Sequence, residues 1–121
     1  ETVIPGKVLS NEAGLVQVAA DTFRLEAVGE VDVGRQVFLC VRPEDITLWR
    51  RQDIPTSSAR NSLLGCITRL TPQGPLMRVT LDCGFPLVAL VTNASVNGMG
   101  LETGLYVQAS FKASAAHLIA R

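Results

Sequence analysis

Two short stretches of the chain carry the side chains best suited to holding an anion. Residues 56–61 read Thr-Ser-Ser-Ala-Arg-Asn, and residues 112–114, near the other end, read Lys-Ala-Ser. Hydroxyl and amide groups are short hydrogen-bonding groups, and the guanidinium and ammonium groups add charge-assisted donors. Together the two stretches predict a small oxyanion site, although a polar connection leading into a strand would have the same composition as the first stretch.

The charge balance of the chain argues against partners that are recognised by broad electrostatic attraction. Eleven basic residues offset eleven acidic residues, and only 5% of the residues are aromatic. A nucleic-acid binder needs a clustered basic surface and, for single strands, aromatic side chains on which bases stack. An OB-fold that binds nucleic acid is therefore disfavoured, whereas a small anion pocket needs only a few local donors.

No group of residues predicts catalysis or metal binding. The acidic residues show no pairing at helical spacing, and neither a Ser/His/Asp set nor a G-x-x-x-x-G-K-[ST] phosphate loop is present. The single histidine, His117, has no cysteine or carboxylate at ligand spacing, so we expect it on the surface. Cys40, Cys66 and Cys83 lie in apolar runs without C-x-x-C spacing, which predicts buried, reduced thiols and a reducing compartment. We expect neither enzyme activity nor a cofactor in this part of the protein.

The two halves of the chain repeat one pattern of short strands. Period-two alternation over 15–18 and 23–28, a nearly unbroken apolar run over 36–41, and turn signals between apolar segments predict a series of short strands. The predicted strands are residues 4–9, 15–18, 23–28, 36–41, 64–67, 77–81, 86–91 and 106–111. Gly6 of the first half corresponds to Gly65 of the second, and Gly34 corresponds to Gly104. The repetition predicts an internal duplication of a small β unit, in which each closing strand ends in a cation, Arg42 or Lys112.

Few signals for helices interrupt this β pattern. Residues 92–96 begin with a capping residue but run into Asn-Gly, and residues 43–45 begin with proline, so each segment supports a single helical turn. The predicted fold is all-β, as small barrels or sandwiches, with a first unit over residues 1–50, a connection over 51–57 and a second unit over 58–121. Units this small are marginally stable alone, and sharing strands between halves or subunits would cover their sheet edges, so we expect a homodimer.

The motifs of the second half identify a family. Ser-Ala-Arg-Asn at 58–61, Leu-Gly at 64–65 and Phe-Lys-Ala-Ser at 111–114, with their spacing, resemble the molybdenum-pterin-binding (Mop, molbindin-like) family of oxyanion-binding domains. This resemblance covers residues 58–119. The first half, with Val-Arg-Pro-Glu-Asp-Ile at 41–46, is similar to the looser TOBE pattern of ABC importer ATPases.

The resemblance implies a fold, a ligand and a set of partners. The fold would be two tandem OB-like β-barrels (a di-Mop/TOBE pair), and the oxyanion would lie at an interface between β units. Ser58, Arg60 and Asn61 would supply one side of the site, and Lys112 and Ser114 the other. The chain would be the C-terminal regulatory domain of an ABC importer ATP-binding subunit that senses molybdate or tungstate. It would be cytoplasmic and held at the inner face of the membrane, without inserting into it, by a missing N-terminal ATPase domain and the permease subunits.

Departures from the family pattern leave an alternative open. The first half lacks Ser-Ala-Arg-Asn before Gly6 and carries Arg-Pro-Glu at 42–44 where the second half has Lys-Ala-Ser. Glu44 would repel an anion and Pro43 has no N–H to donate, so we predict one kind of site, built from the second half. The alternative is a TOBE domain without a ligand that dimerises or docks the ATPase of an importer for a sugar, a metal or sulfate.

Overall fold

The computed structural model describes residues 1–121, and nearly all of them lie in strands or in the turns between strands. The ten strands are β1 (Thr2–Glu12), β2 (Leu15–Ala20), β3 (Phe23–Val28), β4 (Gln36–Val41), β5 (Thr47–Trp49), β6 (Asn61–Gln73), β7 (Leu76–Asp82), β8 (Pro86–Thr92), β9 (Tyr106–Phe111) and β10 (His117–Ala120). One α-helix, α1 (Asn93–Met99), and three single-turn 3₁₀ helices, η1 (Pro43–Asp45), η2 (Arg51–Asp53) and η3 (Ala113–Ala115), connect them. The predicted all-β class is confirmed.

Each sheet includes one strand from the other half of the chain. Sheet 1 has the order β10-β4-β1-β2-β3, and sheet 2 has the order β5-β9-β6-β7-β8. Strand β5 therefore leaves the first half to pair with β9, and β10 returns from the second half to pair with β4, with all pairs antiparallel. The exchange covers one edge of each sheet within a single chain, so it does not require a second copy.

The hydrophobic core is shared between the two sheets. One cluster of 20 buried residues includes Leu25 and Leu39 of sheet 1 together with Leu81 and Phe111 of sheet 2. A second, smaller cluster consists of four valines of sheet 1, namely Val8, Val16, Val18 and Val37. Because most of the apolar burial crosses between the sheets, the two units stabilise each other.

Equivalent positions in the two halves have the same backbone geometry. Gly34 and Gly104, which precede β4 and β9, have φ angles of 87° and 93°. Arg42 and Lys112 each precede a 3₁₀ turn, with φ/ψ of −82°/145° and −73°/146°. The long strands β1 and β6 are also equivalent, since each contains one irregularity in its pairing with the next strand. These matches confirm the predicted duplication.

Helix α1 is longer than the single turn that the sequence predicted. It spans seven residues, because the left-handed residue that ends it is Gly100, with φ 64°, rather than the earlier Asn-Gly pair. Its N-terminus is capped as expected, since Thr92 Oγ1 accepts a hydrogen bond of 3.0 Å from the Ser95 N–H. The predicted single turn over residues 43–45 is η1. No helix in the structure has the length and apolar character needed to cross a membrane.

The three cysteines are free thiols with different degrees of burial. Cys40 and Cys83 are buried, whereas Cys66, which the sequence predicted to be buried, is only half-buried. Burial, reinforced by the charge of Asp82, raises the pKa of the Cys83 thiol to about 11. The Cys83 thiol is therefore protonated at neutral pH.

Gly65→Ala is expected to lower the free energy of unfolding by about 1–3 kcal/mol, the range typical of overpacking. A Cβ at Gly65 would lie 2.8 Å from Cys83 Sγ and 3.1 Å from Leu81 Cβ. The matched control is Gly98→Ala in α1, whose Cβ meets nothing within 4 Å and which should stabilise the helix by up to ~1 kcal/mol. Urea denaturation measures both changes, and equal stability of the two variants would contradict the packing described for Gly65.

Candidate functional site

The two stretches predicted to hold an anion meet at one end of sheet 2, where β6 begins and β9 ends. Asn61, the first residue of β6, pairs with Phe111, the last residue of β9. Arg60 comes just before Asn61 and Lys112 comes just after Phe111. Because the strands are antiparallel, Arg60 and Lys112 lie at the same end of the sheet, one position beyond this pair. Both side chains are exposed. The fold therefore brings the two predicted cations to neighbouring positions.

A cleft of about 380 Å³ opens at this end of sheet 2. Ser58 and Lys112 both line it, and the hydroxyl-bearing side chains of Ser57 and Thr47 line it as well. We call it the Lys112 cleft, and its other lining residues are Glu44, Asp45, Trp49, Ala59, Ser110, Phe111 and Ala115. The cleft contains hydroxyl groups around a cation, which is the chemistry that suits a small anion.

Two carboxylates, those of Glu44 and Asp45, also line the Lys112 cleft, and no local sequence signal predicts them there. Arg42 Nε donates to Asp45 Oδ2 over 3.2 Å, so the charge of Asp45 is balanced locally. Glu44 and Lys112 form no ion pair. The carboxylates reach this position because β5 crosses to sheet 2 and carries the preceding turn η1 with it. The equivalence of Arg42 and Lys112 is visible in the sequence, but the strand exchange that brings Glu44 and Asp45 to the cleft of Lys112 is not.

Arg60 does not line the Lys112 cleft, because its guanidinium is bound to a carboxylate on β3. Nε of Arg60 donates to Oε2 of Glu26, and Nη2 donates to Oε1 over 3.0 Å, which gives a bidentate ion pair. The Glu26 side chain is 13% exposed and that of Arg60 is 58% exposed. The hydrogen bond from Arg60 outweighs burial and holds the pKa of Glu26 below its ordinary value.

Asn61 is buried, and both its amide oxygen and its amide nitrogen hydrogen-bond the backbone of the same glutamate. Its Oδ1 accepts from the Glu26 N–H over 2.7 Å, and its Nδ2 donates to the Glu26 carbonyl over 2.8 Å. Arg60 and Asn61 thus join sheet 2 to sheet 1 through one residue. Neither the role of Asn61 nor that of Glu26 was apparent from the sequence, because the partners are 35 positions apart.

The five predicted site residues therefore fall into three places. Ser58 and Lys112 share the cleft, and Arg60 and Asn61 contact Glu26. Ser114 is exposed on η3, the turn that packs against β3, and lies outside the lining of the cleft.

The only tryptophan and the only histidine of the chain lie in ordinary structural environments. Trp49 Nε1 donates to Ser110 Oγ over 2.9 Å, which fixes the indole against β9 at the border of the Lys112 cleft. His117 is exposed on β10. No three His, Cys, Asp or Glu side chains lie close enough together to hold a metal ion.

The Glu26–Arg60 ion pair predicts a specific acid dependence of stability. Because the pKa of Glu26 is lower in the folded protein than in the unfolded chain, the pair stabilises the fold above about pH 5. This stabilisation disappears as the pH falls through the folded-state pKa. The difference in unfolding free energy between the wild type and Glu26→Gln, measured by urea denaturation, should be constant from about pH 5 to 8 and decrease steadily as the pH is lowered further. A difference that does not change with pH would contradict the pair.

The fold and the cleft together define a class: an all-β module of two strand-exchanged units with a polar cleft where the units exchange strands. The chain belongs to the TOBE domain family, which matches residues 57–118, just over half of its length.

Two relatives are ATP-binding proteins of importers. The chain is 38% identical over 94 residues to the molybdate/tungstate import ATP-binding protein WtpC of Pyrococcus horikoshii, a match that covers 77% of this chain and 25% of that protein. It is 36% identical over 118 residues to WtpC of Pyrococcus abyssi, which covers 95% of this chain and 31% of that protein. The chain thus spans about a quarter to a third of the length of these relatives.

A solved structure has the same fold. The cytoplasmic molybdate-binding protein ModG, crystallised with molybdate bound, superposes with a TM-score of 0.89. The match covers 98% of this chain and 94% of the ModG chain at 24% sequence identity. This similarity confirms the predicted pair of Mop-like β units.

Proposed function

We propose that the chain is an oxyanion-sensing regulatory domain that binds molybdate or tungstate, with Lys112 as the central cation. The observation that carries this proposal is the position of Lys112, an ammonium without an ion-pair partner, in a cleft with Ser57 and Ser58. The names of the two WtpC relatives and the molybdate bound to ModG support the choice of ligand.

The chemistry of the ligand matches the donors in the cleft. Molybdate and tungstate are tetrahedral dianions with acceptor oxygens and no donors, so a site needs donors only. A hydrogen bond to a charged group contributes roughly 1.5–3 kcal/mol, and a neutral one contributes about 1 kcal/mol. Five or six such contacts would offset dehydration and leave about −8 kcal/mol, which is micromolar affinity.

Lys112 and the neighbouring serines supply fewer than the five or six hydrogen bonds that such an affinity requires. The complete site would therefore need donors from elsewhere. Arg60 and Ser114 lie outside the cleft of their own unit. We place the complete site at an interface between β units, where the cleft of one unit meets these donors from a neighbouring unit or from a second copy. A bound dianion would favour the assembled interface, because it would bind more tightly where Lys112 and these donors meet. This difference in affinity between the assembled and separated arrangements would act as a switch.

In the complete protein, this domain would follow the ATP-hydrolysing domain of an ABC importer subunit. The partners would be that domain, a second copy of the subunit and the membrane permease, all at the cytoplasmic face of the membrane. Occupancy by the oxyanion would then restrain transport when the ion is abundant. The domain itself would contribute regulation and not catalysis.

Titration calorimetry of the isolated chain with molybdate, tungstate and sulfate tests this function. We expect micromolar or tighter binding of molybdate and tungstate, and weaker binding of the smaller sulfate ion. The proposal would be rejected if neither molybdate nor tungstate, at millimolar concentration, gave any heat of binding at several temperatures.

A second candidate function is a docking or dimerisation domain without a ligand. The carboxylate of Glu44 in the Lys112 cleft favours it, because Glu44 has no ion-pair partner and its charge opposes an anion. It predicts self-association in sedimentation experiments that is the same with and without molybdate. Oxyanion sensing predicts that molybdate changes the association constant.

A further inference from the structure

The carboxylate of Glu26 binds Arg60 in the way that an oxyanion ligand would. Two oxygens of one anion accept from two N–H groups on one edge of the guanidinium, Nε and Nη2. We propose that Glu26 is a built-in competitor, an internal anion that occupies Arg60 in the ligand-free protein and lowers the affinity of the site for oxyanions. Because it concerns the same site, this role depends on the proposed oxyanion function.

The backbone around Glu26 holds its carboxylate at Arg60. Asn61 hydrogen-bonds both the N–H and the carbonyl of Glu26, so the residue that follows Arg60 fixes the main chain of its partner. Leu25 and Ala27, on either side in β3, are buried and anchor the strand in the core. The carboxylate is therefore presented to Arg60 with little conformational freedom to lose, which strengthens its competition with a free anion.

Arg60 is accessible to a ligand on its other side. With 58% of its side chain exposed, it retains N–H donors that Glu26 does not use. An oxyanion has two ways to reach it: it can displace the carboxylate, or it can bind beside it. Displacement breaks the charge-assisted pair, and binding beside it brings a dianion close to a negative carboxylate. Both routes cost affinity, and both costs disappear when the carboxylate is removed.

The equivalent contact of the other half, between Thr2 and β8, shows that the two sheets can be joined at this position without an ion pair. Thr2, the equivalent of Asn61, accepts a hydrogen bond of 3.2 Å from the backbone N–H of Val88 on β8. The residue before Thr2, equivalent to Arg60, is Glu1, and Val88 takes the place of Glu26. The half without the guanidinium also lacks the facing carboxylate, and the backbone contact is still made. The Glu26 side chain is therefore better explained by control of Arg60 than by the requirements of the fold.

The test compares molybdate binding to the wild type, Glu26→Gln and Glu26→Val by titration calorimetry at low ionic strength. Both substitutions remove the charge and keep the backbone bonds to Asn61, and Val is the residue found at the equivalent position. We expect each variant to bind molybdate about fivefold more tightly than the wild type, the upper range for an exposed ion pair. The gain should be absent in an Arg60→Ala background. Glu102→Gln, an exposed carboxylate before β9, is the control for net charge and should not change the affinity.

The outcomes separate this proposal from the oxyanion function itself. If the wild type binds molybdate and the two Glu26 variants bind equally or more weakly, the competitor role is overturned while the oxyanion function stands. If none of the proteins binds molybdate, both are overturned. Tighter binding in the Arg60→Ala background as well would also overturn the competitor role, since Glu26 would then act by general repulsion. Circular dichroism and thermal unfolding without ligand verify that each variant is folded.

Discussion

Asn61→Ala is expected to lower the free energy of unfolding by about 2–4 kcal/mol, the largest loss from any single substitution considered for this chain. Asn61 is 2% exposed, and its replacement leaves the backbone N–H and carbonyl of Glu26 without their hydrogen-bond partners. An unpaired buried polar group costs about 1–3 kcal/mol, and two are affected here. It also loosens the backbone that presents Glu26 to Arg60.

The matched comparison for Asn61→Ala is Thr2→Val at the equivalent contact of the other half. Thr2 accepts one hydrogen bond from Val88 and has nearly the shape of valine, so its loss should cost about 1 kcal/mol. Urea denaturation of the two variants and the wild type measures both effects. If Asn61→Ala costs no more than Thr2→Val, the amide of Asn61 does not join the sheets as described.

Lys112→Ala is expected to weaken molybdate binding about 10- to 100-fold, because it removes a charge-assisted hydrogen bond of roughly 1.5–3 kcal/mol. The free energy of unfolding should change little, since Lys112 is exposed and forms no ion pair. Lys7→Ala on β1, which removes an equal charge from another exposed position, should leave the affinity within about twofold of the wild type. Titration calorimetry gives both values, and equal affinities of the two variants would remove Lys112 from the site.

The local elements of this fold were predictable from the sequence because their signals are local. The bounds of β3 follow from the alternation of apolar and polar residues, and those of β4 follow from a nearly unbroken apolar run after a turn. The bounds of β9 follow from its correspondence with β4. The equivalences Gly34 to Gly104 and Arg42 to Lys112 were also visible, and both halves use them in the same way.

The strand exchange and the contacts of Arg60 could not be predicted in the same way. Strand β5 has only three residues, and its partner β9 lies far along the chain, so nothing in its own sequence specifies the pairing. The Glu26–Arg60 pair likewise joins residues from different sheets. In a pattern of alternating residues, Glu26 is an ordinary polar position of β3, and only the packing of the two units shows that it faces a guanidinium.

The same packing explains why the candidate site is divided in a single chain. The two stretches predicted to hold an anion do meet, but Arg60 is already bound to a carboxylate and Lys112 is not. A ligand would therefore meet Lys112 and the neighbouring serines first, and Arg60 only in competition with Glu26. The strength of the Glu26–Arg60 ion pair, which joins the two sheets, would therefore affect how tightly a ligand binds.

The position of a bound oxyanion can be determined from a crystal structure of the chain with tungstate, because the tungsten is located by its anomalous scattering. We expect a tungsten peak at the Lys112 cleft, with a tungstate oxygen within about 3.2 Å of Lys112 Nζ and another in hydrogen-bond reach of Ser58 Oγ. Saturating tungstate that binds only at other positions and leaves the Lys112 cleft empty would contradict it.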